Sequence, residues 1–62
     1  MDTKLENEFY ENTSIAVMKC NAILAGIKKL IADKNNQVEW KDVNTMVKIK
    51  EDLINICKTL KV

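Results

Sequence analysis

The stretch "IADKNNQVEW", residues 31–40, is the one place in this 62-residue chain where hydrophobic periodicity lapses and turn-prone polar residues collect. Its reading decides the fold, because helical patterns run up to it from both sides. Asp33, Asn35, Gln37 and Glu39 alternate oxygen-bearing side chains as a calcium loop would. An EF-hand loop needs glycine at its sixth position and a bidentate glutamate at its twelfth. Counting from Asp33, those places hold Val38 and Asn44, and ending the loop on Asp42 leaves only ten residues and no glycine. The stretch therefore reads as a bend. Asn36 followed by Glu39 has capping-box spacing, which predicts that the next helix begins near residue 37.

Upstream of the bend, three heptad-spaced rows lie side by side: Phe9, Ala16, Ile23, Leu30; Tyr10, Val17, Leu24, Ile31; and Thr13, Cys20, Ile27, Lys34. Together they make one broad apolar stripe. Thr3 and Glu6 give a capping-box start, and Asp2, Glu6 and Glu8 suit the positive end of the helix dipole. The weak helix formers "NTS" at 12–14 sit inside the pattern. Because the rows keep register through them, one helix over about 3–34 is expected.

Downstream, Val43, Met46, Lys50, Leu53, Cys57 and Leu60 alternate spacings of three and four, flanked by Trp40, Val47, Ile54 and by Ile49, Ile56. A second helix over about 37–61 follows. Proline is absent and Gly26 is the only glycine, so little else interrupts the chain. The fold class expected is all-α: an antiparallel helical hairpin, with 1–62 forming a single domain.

At 1.5 Å per residue the helices span ~48 and ~37 Å, so the first outruns the second. With the bend centred near 35–36, Leu60 should lie beside residues 10–12, and Leu5 and Phe9 should project past it. Two helices alone leave half of each wide stripe uncovered. That geometry predicts a homo-oligomer, a four-helix or larger bundle, with Leu5, Phe9, Ala16, Ile23 and Ile27 in the self-association core. Leu30, Met46, Leu53 and Leu60 complete that set. The same register puts Cys20 opposite about residue 53 and Cys57 opposite about residue 16, one turn out of step and too far apart for a disulfide. Both are expected as buried thiols in a reducing compartment.

Chemistry is argued against by composition. The chain has no histidine, no arginine and no glycine-rich loop, so the usual general base, phosphate clamp and nucleotide fingerprints are missing. Glu51 and Asp52 are neighbours that point about 100° apart on a helix, and no Glu-x-x-His accompanies them. No catalytic residue, metal ligand or cofactor is expected.

Binding readings remain, and three compete. An inhibitor, adaptor or regulator of a host macromolecule would use Tyr10 at the overhanging end and Trp40 beside the bend as aromatic anchors for a protein partner. A nucleic-acid regulator would use the lysines of the first helix, Lys19, Lys28, Lys29 and Lys34, doubled by symmetry in a dimer. In length and architecture alone, such a dimer resembles the plasmid copy-control proteins that bind paired RNA loops. A third reading has the oligomer sequester a small anionic ligand through lysines. Net charge is only +1, and all ten basic residues are lysine, so arginine-based stacking and bidentate readout are excluded.

Charge is nonetheless uneven. Asp2, Glu6, Glu8 and Glu11 against Lys4 give residues 1–12 a net of −3, whereas residues 13–34 carry four lysines against Asp33, a net of +3. The acidic start "MDTKLENEFYEN" is no signal peptide, and "IAVMKCNAILAGIKKLIA" is broken by Lys19, Asn21, Lys28 and Lys29, too polar for a membrane span. A soluble cytoplasmic protein is expected. Abundant Lys, Asn and Ile without Arg or Pro is what AT-rich codons yield. That composition points to a low-GC bacterium, or a phage or plasmid living in one.

Overall fold

The computed structural model describes residues 3–62. Among them are two helices and no strand: α1, Thr3–Lys34, and α2, Trp40–Leu60. The helix boundaries of α1 are those the periodicity predicts. The "NTS" segment does not interrupt it, because Asn12 Nδ2 donates to the Glu8 carbonyl at 2.7 Å and Thr13 Oγ1 to the Phe9 carbonyl at 2.7 Å. Each polar side chain is turned back along the helix instead of competing with it. Thr3 is itself helical, so the cap expected of it would fall to the position before, which lies outside the described residues.

The bend differs from expectation. Asn36 does not cap α2; Asn35 and Asn36 take the left-handed conformation, φ 46° and 68°, and terminate α1. The Gln37 N–H then donates to the Lys34 carbonyl at 2.8 Å. Asparagine is the non-glycine residue best suited to that conformation, which is why two of them can stop a helix here without glycine. The cap of α2 moves three residues on. Glu39 is the N-cap in extended geometry, and its N–H donates to the Asp42 carboxylate at 2.9 Å. At the other end, Lys61 is left-handed, its N–H bonds the Lys58 carbonyl at 3.2 Å, and Val62 N–H bonds Cys57 O at 3.0 Å. That pair of bonds is a Schellman stop.

The two helices share open clefts whose linings order them antiparallel. One, of about 340 Å³, joins Ile23, Ile27 and Leu30 to Ile49, Leu53 and Ile56; a second, near the bend, joins Leu30, Ile31 and Lys34 to Asp42, Val43 and Met46. The residues partly shielded from solvent form a seam with heptad spacing: Ile27, Leu30 and Lys34 from α1, with Asp42, Met46, Ile49 and Leu53 from α2. In α2 this corrects the sequence reading, which put Lys50 on the inner row; Lys50 and Cys57 are exposed, and Asp42 and Ile49 take the inward positions.

Register shifts with the bend. Lys34 pairs with Asp42, and Leu30 shares a cleft with Met46, so Leu60 falls beside about residue 16 instead of 10–12 at one residue per 1.5 Å. The part of α1 that outruns α2 is correspondingly longer. Cys20 then lies level with about residue 56 along the helix axes. The thiols of Cys20 and Cys57 are free, and both are exposed instead of buried.

No described residue is fully buried, and no Cα of one helix comes within 8 Å of the other. The chain measures 55 × 21 × 17 Å and exposes 5897 Å². A compact monomer of 7.1 kDa would expose about 4,100 Å² by surface scaling, so roughly 1,800 Å² is in excess.

Candidate interaction surface

The excess surface has a definite layout. At 100° per residue, the row Tyr10, Val17, Leu24, Ile31 lies on one flank of the α1 seam, and Trp40, Val43, Val47 and Ile54 lie on one flank of the α2 seam. In an antiparallel pair these flanks fall on the same side. The shared linings agree: Ile31 and Val43 meet in the cleft near the bend, and Leu24 lines a smaller cleft with Cys20, Ile27 and Leu53. That side of the helix pair therefore carries apolar side chains from the bend toward the open end, with the exposed Lys28 and Lys50 among them. Leu24 is 54% exposed, Ile31 69% and Trp40 80%.

Beyond the end of α2 the seam face of α1 continues alone. Leu5, Phe9, Thr13 and Ala16 line an open groove there with Glu6, Glu8, Tyr10 and Asn12. The Phe9 and Tyr10 rings meet edge to face, centroids 5.2 Å apart and planes at 79°, yet both remain more than half exposed. An edge-to-face pair preorganises its two rings, but here it hides neither.

The residues expected in the self-association core thus divide. Ile27, Leu30, Met46 and Leu53 are half-buried in the seam within the chain, whereas Leu5, Phe9, Ala16, Ile23 and Leu60 stay exposed. Tyr10 and Trp40 lie at opposite ends of the molecule, each at an end of that apolar side. Sequence periodicity found every row there but not that the rows of two helices fall on one side, because that depends on the seam register.

The lysine set does not gather. Lys34 Nζ bonds Asp42 Oδ1 at 2.8 Å across the bend, and both side chains are partly shielded. That bond is the main reason the Lys34 ammonium is held above its ordinary 10.5 and the Asp42 carboxyl below 3.8, the Glu39 N–H adding to the second effect. Lys19 and Lys28 lie about 180° apart around α1, with Lys29 between them. Other ion pairs, Lys41–Glu39 at 3.6 Å and Lys48–Asp52 at 2.8 Å, are on the surface.

Among the described residues no group of three acidic, cysteine or histidine side chains could hold a metal ion, and the Asp42 carboxylate beside the bend is bonded to the Glu39 N–H and to Lys34. No helix there is long and apolar enough to cross a membrane. Comparison with known proteins adds no relative: no protein family matches the chain, and no curated protein or solved structure matches it significantly.

Proposed function

We propose that this chain is a non-enzymatic interaction protein, an inhibitor, adaptor or regulator that self-associates into a helical bundle and acts by binding a host macromolecule. The observation that carries the reading is that none of the described residues is fully buried while apolar side chains line one side of both helices. A two-helix seam of seven half-buried residues leaves a single chain of 62 residues only marginally stable. Association supplies the missing burial, and the aromatic groups left at the ends, Tyr10 and Trp40, are suited to anchor a protein partner.

The nucleic-acid alternative draws less support. Lys34 is committed to Asp42, and Lys19, Lys28 and Lys29 are spread around α1 instead of forming a stripe that could track phosphates. The small-anion alternative meets one cleft between the helices whose charged residue is Asp52 and a second whose lysine, Lys34, is already paired with Asp42. The composition keeps a phage or plasmid in a low-GC host as the proposed source. Affinity capture from such a host lysate, with and without nuclease, tests the partner class: a protein retained under both conditions supports the reading, and retention that nuclease abolishes overturns it. Sedimentation tests the assembly, for which a mass of two or more chains is expected.

A further inference from the structure

Resting on the protein-partner reading just proposed, we infer that the open groove at the N-terminal end of α1 takes a helix from a partner protein. That helix is apolar along one stripe and carries lysine or arginine beside the stripe at its outer end. The first support is continuity. Leu5, Phe9 and Ala16 of the groove lie on the face of α1 that α2 covers further along, where Ile23, Ile27 and Leu30 share a cleft with Ile49, Leu53 and Ile56. Where this face is covered, its cover is the aliphatic stripe of an antiparallel helix. Recognition of a helix in a groove uses the same spacing of anchors.

Length sets the size of the occupant. Leu60 ends α2 level with about residue 16, so about 13 residues of α1, roughly 20 Å, run on without it. That is room for a helix of three turns or more. The Phe9 and Tyr10 rings, paired edge to face and more than half exposed, are placed along it as anchors.

Charge sets its chemistry. At 100° per residue, Glu6 lies about 80° to one side of the Leu5–Phe9–Ala16 stripe and Glu8 about 80° to the other, so a carboxylate flanks the stripe on each side. Both line the groove, and no lysine does among the described residues. Neither takes part in an ion pair among those residues, whereas Asp42 and Asp52 of α2 are each bonded to a lysine. Lys58 and Lys61 close α2 level with about residues 15–18, which disfavours positive charge at the inner end of the groove and moves it outward, beside Glu6 and Glu8. The carboxylates repel phosphate, so nucleic acid and anionic lipid are poor occupants. The whole chain has a net charge of +1, so a cationic helix is drawn by this groove and not by the molecule's overall charge.

The test uses two fluorescent peptides of about 16 residues, long enough to fill the groove. Both carry leucine at helical spacing; one has lysines beside the stripe in its last two turns, and the other has glutamates in those places. Fluorescence anisotropy should show the unmodified chain binding the lysine peptide and not the glutamate one. Glu6→Lys with Glu8→Lys should weaken the lysine peptide by about 10-fold and bind the glutamate peptide in its stead, a gain that a misfolded chain would not show. Glu51→Lys, a charge reversal on α2 away from the groove, should leave the affinity unchanged. Equal binding of both peptides, binding of neither, or an equal loss in Glu51→Lys overturns the inference. A host protein retained equally by the unmodified and the Glu6→Lys, Glu8→Lys chains also overturns it, while the partner reading stands. A sedimenting mass that falls on the same double exchange, with no peptide bound, makes a second copy the occupant and overturns it as well.

Discussion

The two ends of α1 solve the same problem in different ways. At its C-terminal end the helix has a neighbour: α2 returns alongside, Lys34 reaches Asp42, and Leu30 shares a cleft with Met46. Toward its N-terminal end no part of α2 runs alongside, and there Asn12 and Thr13 bond the carbonyls one turn back while the Phe9 and Tyr10 rings pair. The comparison teaches where stability resides. Side-chain contacts across a seam hold the bend end, whereas the open end depends on propensity and on whatever covers it.

The largest effect should come from breaking the seam. Leu30→Asp places a charge where apolar groups of both helices meet, and a loss of about 3 kcal/mol is expected, read as a collapse of helical circular dichroism. Phe9→Asp, the same chemistry on the same face of α1 at the open end, should leave the helicity of the diluted chain nearly unchanged and act only on assembly. Equal losses from both substitutions would erase the distinction drawn between the ends.

The bend itself comes next. Asn36→Val forces a β-branched residue into the left-handed conformation and should cost about 1–2 kcal/mol in chemical denaturation. Asn36→Gly should cost nothing by the same measure. In the opposite direction, Gly26→Ala is expected to stabilise by about 1 kcal/mol, because a methyl group there meets no atom within 4 Å and removes a flexible residue from mid-helix.

The smallest effect is that of pH on the Lys34–Asp42 bond. Asp42 is held below 3.8, so its contribution is complete above that value and fades as pH falls through the depressed pKa. Lys34 is held above 10.5, so its contribution is complete below that value and fades as pH rises through the elevated pKa. Melting temperature should be flat between these limits with respect to this pair. In Asp42→Asn both arms should shrink, which a series of thermal melts across pH would show.

How much of this was legible in the sequence follows from which signals were local. The span of α1 was readable because three heptad rows hold register over its whole length. The start of α2 was placed about three residues early because Asn36 and Glu39 match a capping box, yet the same spacing recurs at Glu39 and Asp42, and only backbone geometry chooses between them. Asn36 was unavailable as a cap once it had become part of the stop for α1. That displacement moves the register and lengthens the part of α1 that outruns α2. The rows of the candidate face were all visible from their spacing. Their union into one surface was not, since it requires knowing which flank of each helix lies on which side of the seam.

The absence of any approach within 8 Å between the Cα atoms of the two helices also bears on how the chain folds. Backbone neighbours at that range are all close in sequence, so each helix can form without waiting for a distant segment, and such local topologies are the fast folders. Under the proposed self-association, the slow event is then the encounter of chains. Its rate rises with concentration, so ordering of the open end should follow the square of the chain concentration while the bend forms at a rate independent of it.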